Sequence, residues 1–363
     1  MTDVYVIGGG PAGLAAAIAA RRKGFSVTLA DARRPPIDKA CGEGLLPDGI
    51  LAARQLGLDP RLIDGYSVRG VRFQGRNACA TAEFPQGPGM GVRRTALHSA
   101  LVRLAEGAGV EFEWGRSIGG LHEIGARWVV GADGAGSRVR AWANLDKTRR
   151  DSRRFGFRLH FRVAPWSDYV EIHWGDGCQI YVTPVARDEV GIALISRDPR
   201  LRVEEALKRF PALLSALASA ATTSTERGGI TAMRSFERVT CGNVALVGDA
   251  SGSVDAITAE GLSLGFRQAL ALADALESGS LARYESAHRR MMRRPRWMGN
   301  FLLAMDRWPG IRRRSLPLLA AHPALFRGLL AVHVGSPVDG FARRQIPDSG
   351  VLRQLPQLPR RSD

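Results

Sequence analysis

Apolar residues along this chain change their period several times, and each change marks an element. The opening DVYVIGGGPAGLAAAIAARRKGFSVTLAD passes from an apolar run through a glycine turn into an alanine-rich stretch, then into a second apolar run ending at Asp31. That order predicts strand, helix, strand, a βαβ start. Residues 71–92 are polar, glycine-rich and strand-like, after which RTALHSALVRLAEGAGVEF sets Leu97, Leu101 and Leu104 at helical spacing and runs into a strand. FGFRLHFRV and CQIYVTPV alternate as strands do, VEEALKRFPALLSALA reads as a helix, and CGNVALVGDA returns to a buried strand. Beyond Ala287, RMMRRPRWMGNFLLAMDRW and SLPLLAAHPALFRGLLAVHV read as packed helices, and the tail after Pro347 is expected to be mobile.

The predicted fold is α/β. A Rossmann-like nucleotide-binding lobe is expected from 1–70, 93–150 and 235–290, with an inserted β-sheet substrate lobe from 71–92 and 151–234. A C-terminal helical segment would follow over 291–346, then a mobile tail over 347–363. With 363 residues, 45% of them apolar, the chain can bury a full core and two joined lobes. No uninterrupted apolar stretch is long enough to span a bilayer and no signal peptide is evident, so a cytoplasmic protein is expected.

Composition removes several function classes. Cys41, Cys79, Cys178 and Cys241 form no CxxC pair or Cys/His cluster, so neither bound metal nor a disulfide framework is expected. A net charge of +16 would ordinarily suggest nucleic acid or an anionic membrane. Only Lys23, Lys39, Lys147 and Lys208 are lysines, however, and the arginine excess reads as a coding bias. No basic-aromatic motif accompanies it, so nucleic acid is not expected as a partner.

Three glycine-punctuated segments carry the candidate chemistry. Gly8, Gly10 and Gly13 form GxGxxG between strand and helix, where glycine lets the backbone approach a pyrophosphate at the helix N-terminus. Asp31, at the end of the second strand, can bond both hydroxyls of a ribose, or be no more than a solvated strand-end carboxylate. WVVGADGAGSRVR turns through Asp133, and CGNVALVGDASGSVDAITAEGLSLG runs through Gly248 and Asp249 into a long helix beginning at Gly261 and Leu262. A carboxylate at that strand end can bond a ribityl hydroxyl, and the helix N-terminus can favour an anionic reduced flavin by roughly 1 kcal/mol.

Together these segments resemble the p-hydroxybenzoate hydroxylase superfamily of flavoproteins, over about residues 1 to 330. The resemblance implies FAD, with Gly8, Gly10, Gly13 and Asp31 on the ADP half, Arg94 on the phosphates, Asp133 in the DG element and Asp249 on the ribityl chain. DKACGEGLLPDG further resembles the geranylgeranyl reductase-like branch, which implies Cys41, Gly42, Glu43 and Gly44 beside the isoalloxazine ring. A small thiol there can also be plain packing. KACGEGLLPDG, GVRRTALH and HPALFRGLLAVHVG look like the branch's hydroxylases that accompany type III polyketide synthases. Ala256 stands where that superfamily usually has proline.

QIYVTP, with Tyr181 and Thr183, lacks the aromatic pair of the prenyl reductases, and no tryptophans fall into the halogenase WxWxIP spacing. The resemblance thus implies a monooxygenase of secondary metabolism, hydroxylating a phenolic or polyketide-derived small molecule through a flavin C4a-hydroperoxide. With a single dinucleotide fingerprint, NAD(P)H would act as a transient reductant. The alternative is a flavin-dependent reductase of an isoprenoid or other alkene. His160, flanked on its strand face by Arg158 and Arg162, is the first candidate acid or base, with His173, Tyr181 and Cys41 also considered. The substrate is expected to be aromatic or lipid-like, and the arginine-rich C-terminal helices could give a peripheral membrane contact.

Overall fold

The computed structural model describes residues 2–150 and 153–335, so the expected tail and the last residues of the helical segment lie outside the described residues. Strand Val4–Ile7 is buried along its whole length because Val27–Asp31 and Trp128–Gly131 pair with it in parallel on either side. A central parallel strand of this kind reads as an unbroken apolar run. Val244–Leu246 extends the sheet beside Trp128–Gly131, and Glu111–Trp114 extends it beside Val27–Asp31. Helix Pro11–Arg22, with proline in its first turn, packs its alanine face against helix Gly261–Glu277. A Cβ on Gly265 would lie 3.2 Å from that of Ala12, which explains how closely the two helices approach.

The second sheet has eight strands and is antiparallel except where Tyr169–Trp174 runs parallel to Gly70–Gln74. Its register aligns Phe73, Ile172, Tyr181, Ala193 and Arg158 in one row across five strands. Side chains on a strand alternate between faces. The opposite face of the sheet, with Leu159, Ile180, Ile192 and Leu194, packs on Val203–Leu207 and Pro211–Ala216. The single helix expected there is two short ones. Pro211 forces Phe210 out of helical geometry, to φ −127° and ψ 76°.

The expected boundary between 290 and 291 falls inside one helix, Leu281–Arg307, which runs on through Pro295. Helices Pro309–Ala321 and Pro323–Val334 follow. With the end of the long helix they bring Met298, Leu302, Leu319, Phe326 and Leu330 into one apolar cluster with Phe73 and Ile172. The row of the sheet and these helices thus face each other. Both pieces expected to form the substrate lobe, 71–92 and 151–234, contribute strands to this one sheet.

Candidate functional site

One cavity of about 970 Å³ runs from the first glycine turn to the C-terminal helices. At its polar end, Gly8 takes φ +114° and a Cβ there would lie 2.4 Å from the Ala132 carbonyl oxygen. A Cβ on Gly13 would lie 1.8 Å from the Gly8 carbonyl oxygen. Both glycines are required by the protein's own packing. Gly10 is different: its Cβ would meet only the Arg94 guanidinium, at 4.0 Å. It faces the cavity, and helix Pro11–Arg22 starts there without a side-chain cap, leaving its first N–H groups for a ligand.

Around this cradle the donor set suits an ADP moiety. Arg94 lines the cavity, and its Nε is buried without a hydrogen-bond partner. Asp31 accepts from the Gly9 N–H at 2.7 Å and the Arg33 N–H at 2.8 Å, one on each oxygen. A carboxylate has about four lone-pair sites, so both oxygens keep capacity for ribose hydroxyls. Asp133 Oδ2 accepts from the N–H groups of Arg138 and Val139, fixing the turn, while Oδ1 has no partner. Asp249 is half-exposed at the cavity and lies 3.4 Å from Lys39 Nζ. The Gly248 N–H is already spent on Gln268.

In the middle of the cavity, Gly42, Gly44 and Gly261 would each carry a Cβ into open space, so their lack of side chains leaves room for a flat ligand. Leu262 lines the same region, at the N-terminus of helix Gly261–Glu277. Glu260, just before it, is buried, and burial with the nearby Asp48 charge pushes its carboxyl well above the ordinary range. Burial thus disfavours the charged form of Glu260, the form that would oppose an anionic ligand at the helix's positive end.

Glu43 holds the Cys41–Gly44 run in place. It has φ +58°, a left-handed conformation costing about 1–3 kcal/mol for a non-glycine residue. Its carboxylate offsets this by accepting from the Arg94 N–H at 2.9 Å and from His160 Nε2 at 2.5 Å. Arg158 can only donate, so His160 Nδ1 accepts from it at 3.0 Å and Nε2 carries the proton. His160, expected at the substrate, is fully buried behind Glu43 and lines no part of the cavity. His173 is tied to Glu171 at 3.2 Å and also lies off the cavity. Cys41 does line it, and its sulfur accepts from the Glu43 N–H.

At the far end the cavity is an apolar chamber between the sheet row and the C-terminal helices, lined by Phe73, Ile172, Met298, Leu302, Phe326 and Leu330. Tyr181 is one of its walls. Its hydroxyl donates to the Ile257 carbonyl at 2.8 Å, and burial pushes the phenol up, so it has neither a free proton nor a free base to offer. Two polar groups that sequence reasoning passed over also stand at this end. Asp255 is fully buried at the cavity wall, with Oδ1 accepting from the Ile257 N–H at 3.0 Å and Oδ2 unpartnered. His333 is bound through Nε2 to the Thr258 carbonyl at 2.8 Å, and burial lowers it to about 4. Asp255 lay six residues beyond the recognisable GD pair, which was its only signal. For His333 the only signal was the likeness of its segment HPALFRGLLAVHVG to the branch's hydroxylases, which gave the histidine itself no role.

Asp249→Ala is expected to weaken FAD binding without unfolding the protein, because the only partner its side chain loses among the described residues is Lys39. Flavin content and apoprotein melting temperature, measured side by side, check this.

The comparisons with known proteins point to the same cofactor. A family model described as FAD dependent oxidoreductase matches residues 3–35, and one described as FAD binding domain matches residues 104–283. A putative 2-heptyl-3-hydroxy-4(1H)-quinolone synthase from Rhodococcus erythropolis is 30% identical, covering 89% of this chain and 93% of its own. Menaquinone reductase from Mycobacterium tuberculosis is 29% identical over 77% of this chain and 78% of its own. The solved p-nitrophenol 4-monooxygenase from Pseudomonas putida superposes with a TM-score of 0.79 over 92% of this chain and 98% of its own. At 16% identity, that likeness speaks to the fold alone.

Proposed function

The chain belongs to the FAD-dependent oxidoreductases and binds FAD, and from that premise we propose that it is an NAD(P)H-consuming monooxygenase hydroxylating a phenolic or similarly hydroxylated aromatic with an apolar substituent. The observation carrying this reading is the continuity of the cavity: the cradle for the ADP half and the apolar chamber are two ends of one space. The relative with a quinolone product, alike over nearly the whole chain, supports an aromatic substrate with an alkyl group.

FAD, when bound, would supply the redox chemistry between NAD(P)H and O2. The chain's own residues do the rest. Gly10, the first turn of helix Pro11–Arg22 and Arg94 would hold the pyrophosphate, Asp31 the ribose and Asp249 the ribityl chain. Thr183 donates to the Gly42 carbonyl at 2.9 Å and, with Glu43 and His160, fixes the loop beside the ring position. The sheet row and the C-terminal helices exclude water from the reacting end. Asp255 accepts the proton of the substrate hydroxyl, activating the ring for oxygen transfer.

Anaerobic reduction with NADH or NADPH followed by ¹⁸O2, in the presence of alkylated phenols and hydroxyquinolines, tests the proposal. Labelled oxygen in the product is the expected result. NAD(P)H oxidation that saturates an alkene without consuming O2 would replace it with the reductase reading, which the menaquinone reductase relative and the cavity position of Cys41 favour. Cys41→Ser separates the two independently. Oxygen transfer needs no thiol, so most turnover should survive; complete loss with FAD retained would point to a thiol giving its proton to an alkene carbon.

A further inference from the structure

Large apolar side chains left exposed are concentrated near the end of the described chain: Trp297, Trp308, Ile311, Leu318, Leu325 and Val332. The last two helices have a clear inward face, Leu316 and Leu319 on one and Phe326, Leu330 and Val334 on the other. Their outward face is therefore unusual in being apolar as well. No Asp or Glu occurs from 307 to 335, whereas Arg307, Arg313, Arg314 and Arg327 are exposed there. None of these four arginines has an acidic partner among the described residues.

We propose that the outward face of helices Pro309–Ala321 and Pro323–Val334, with Trp308 at its edge, is a docking surface for an anionic lipid bilayer. Tryptophan and aliphatic side chains among arginines suit the boundary between headgroups and acyl chains. The charge argues against a second copy of this chain as the occupant, since two such faces would oppose arginine to arginine on a protein of net charge +16. Neither helix alone is long and apolar enough to cross a membrane; the two reach that length and composition only together, as a pair bent by 108°, and their inward faces are already packed on the chamber, so the proposed contact is interfacial. The same helices wall the chamber: Leu319, Phe326 and Leu330 line the cavity from inside, and Trp297 stacks on the cavity-lining Phe301 at 6.5 Å between ring centroids. Docking would bring the chamber's outer wall against the bilayer, whatever reaction the flavin performs.

The test uses the full-length FAD-loaded protein and sedimentation with vesicles of phosphatidylcholine alone or mixed with phosphatidylglycerol. Binding to the anionic vesicles, weakened by salt, is expected. Net positive charge by itself would give some binding, so the decisive variant is Trp308→Ser with Leu318→Ser, which should lower the partition coefficient by about tenfold at unchanged charge. Arg103→Gln with Arg283→Gln, two exposed charges elsewhere, should lower it far less. FAD content and melting temperature establish that both variants are folded. Equal binding by the Trp308/Leu318 variant and the parent would overturn the proposal, as would absence of binding at low salt. A dimer that light scattering shows to be dissolved by the same two substitutions would assign the face to a second copy instead.

Discussion

Gly10→Val is expected to abolish FAD binding while leaving the apoprotein folded. At φ −72° and ψ 174°, Gly10 sits in extended backbone that any L-residue adopts, and its Cβ would touch nothing in the protein nearer than Arg94 at 4.0 Å. A valine there fills the space in front of the first helical N–H groups, where the pyrophosphate would approach, and the loss in affinity should exceed ~100-fold, or ~2.7 kcal/mol. Gly13→Ala makes the contrast. Its Cβ would collide with the Gly8 carbonyl oxygen at 1.8 Å, backbone against backbone, so the fold itself should lose about 2–4 kcal/mol. Flavin absorbance titration and thermal melts of the two apoproteins separate the cases. If Gly10→Val binds FAD as tightly as the parent, the cradle has been assigned to the wrong ligand.

That difference between two glycines of one motif shows where sequence reading stops. GxGxxG is legible because strand, turn and helix are contiguous, so thirteen residues determine the local geometry. The GD and DG segments are legible for the same reason. Gly13 meets Gly8 inside the motif, but that Gly8 serves packing and not the ligand depends on Ala132, more than a hundred residues away, and only the fold brings it in. His160 illustrates the same limit. Its strand and its face with Arg158 were readable, but the register that puts Glu43 in front of it depends on a left-handed residue in a loop of another lobe. The substrate end was least legible of all. Phe73, Tyr181, Asp255, Met298 and Phe326 come from five separated segments, and no local pattern distinguishes a chamber wall from ordinary core. The helix broken at Pro211 is a smaller case, since apolar spacing continued through a residue whose ring forbids the helix.

Asp255→Asn is expected to lower kcat by about 10²-fold or more, the usual scale for losing a positioned acid or base, while FAD binding persists. Asp255 is fully buried at the chamber wall, and its Oδ2 is a hydrogen-bond acceptor with no partner among the described residues. The nearest cation, Arg154, has a guanidinium nitrogen 3.9 Å from Oδ1. Burial raises the carboxyl more than Arg154 lowers it, so its folded-state value lies above the ordinary one. The sign follows for activity. A base that must be ionised to take the substrate's proton gives a rate that rises with pH through this raised value, and the amide variant should lose that limb of the profile. Stability moves the other way: a buried carboxyl with a raised folded-state value favours the folded protein below the ordinary carboxyl range and loses that advantage as pH climbs through the raised value. The amide keeps the bond from the Ile257 N–H and has nothing to ionise, so at neutral pH the variant should melt no lower than the parent. A fall in kcat therefore could not be ascribed to unfolding. Should the variant retain its turnover and the same pH profile, Asp255 is a structural acceptor for its own loop, and the proton must leave the substrate by way of water or its own intrinsic acidity.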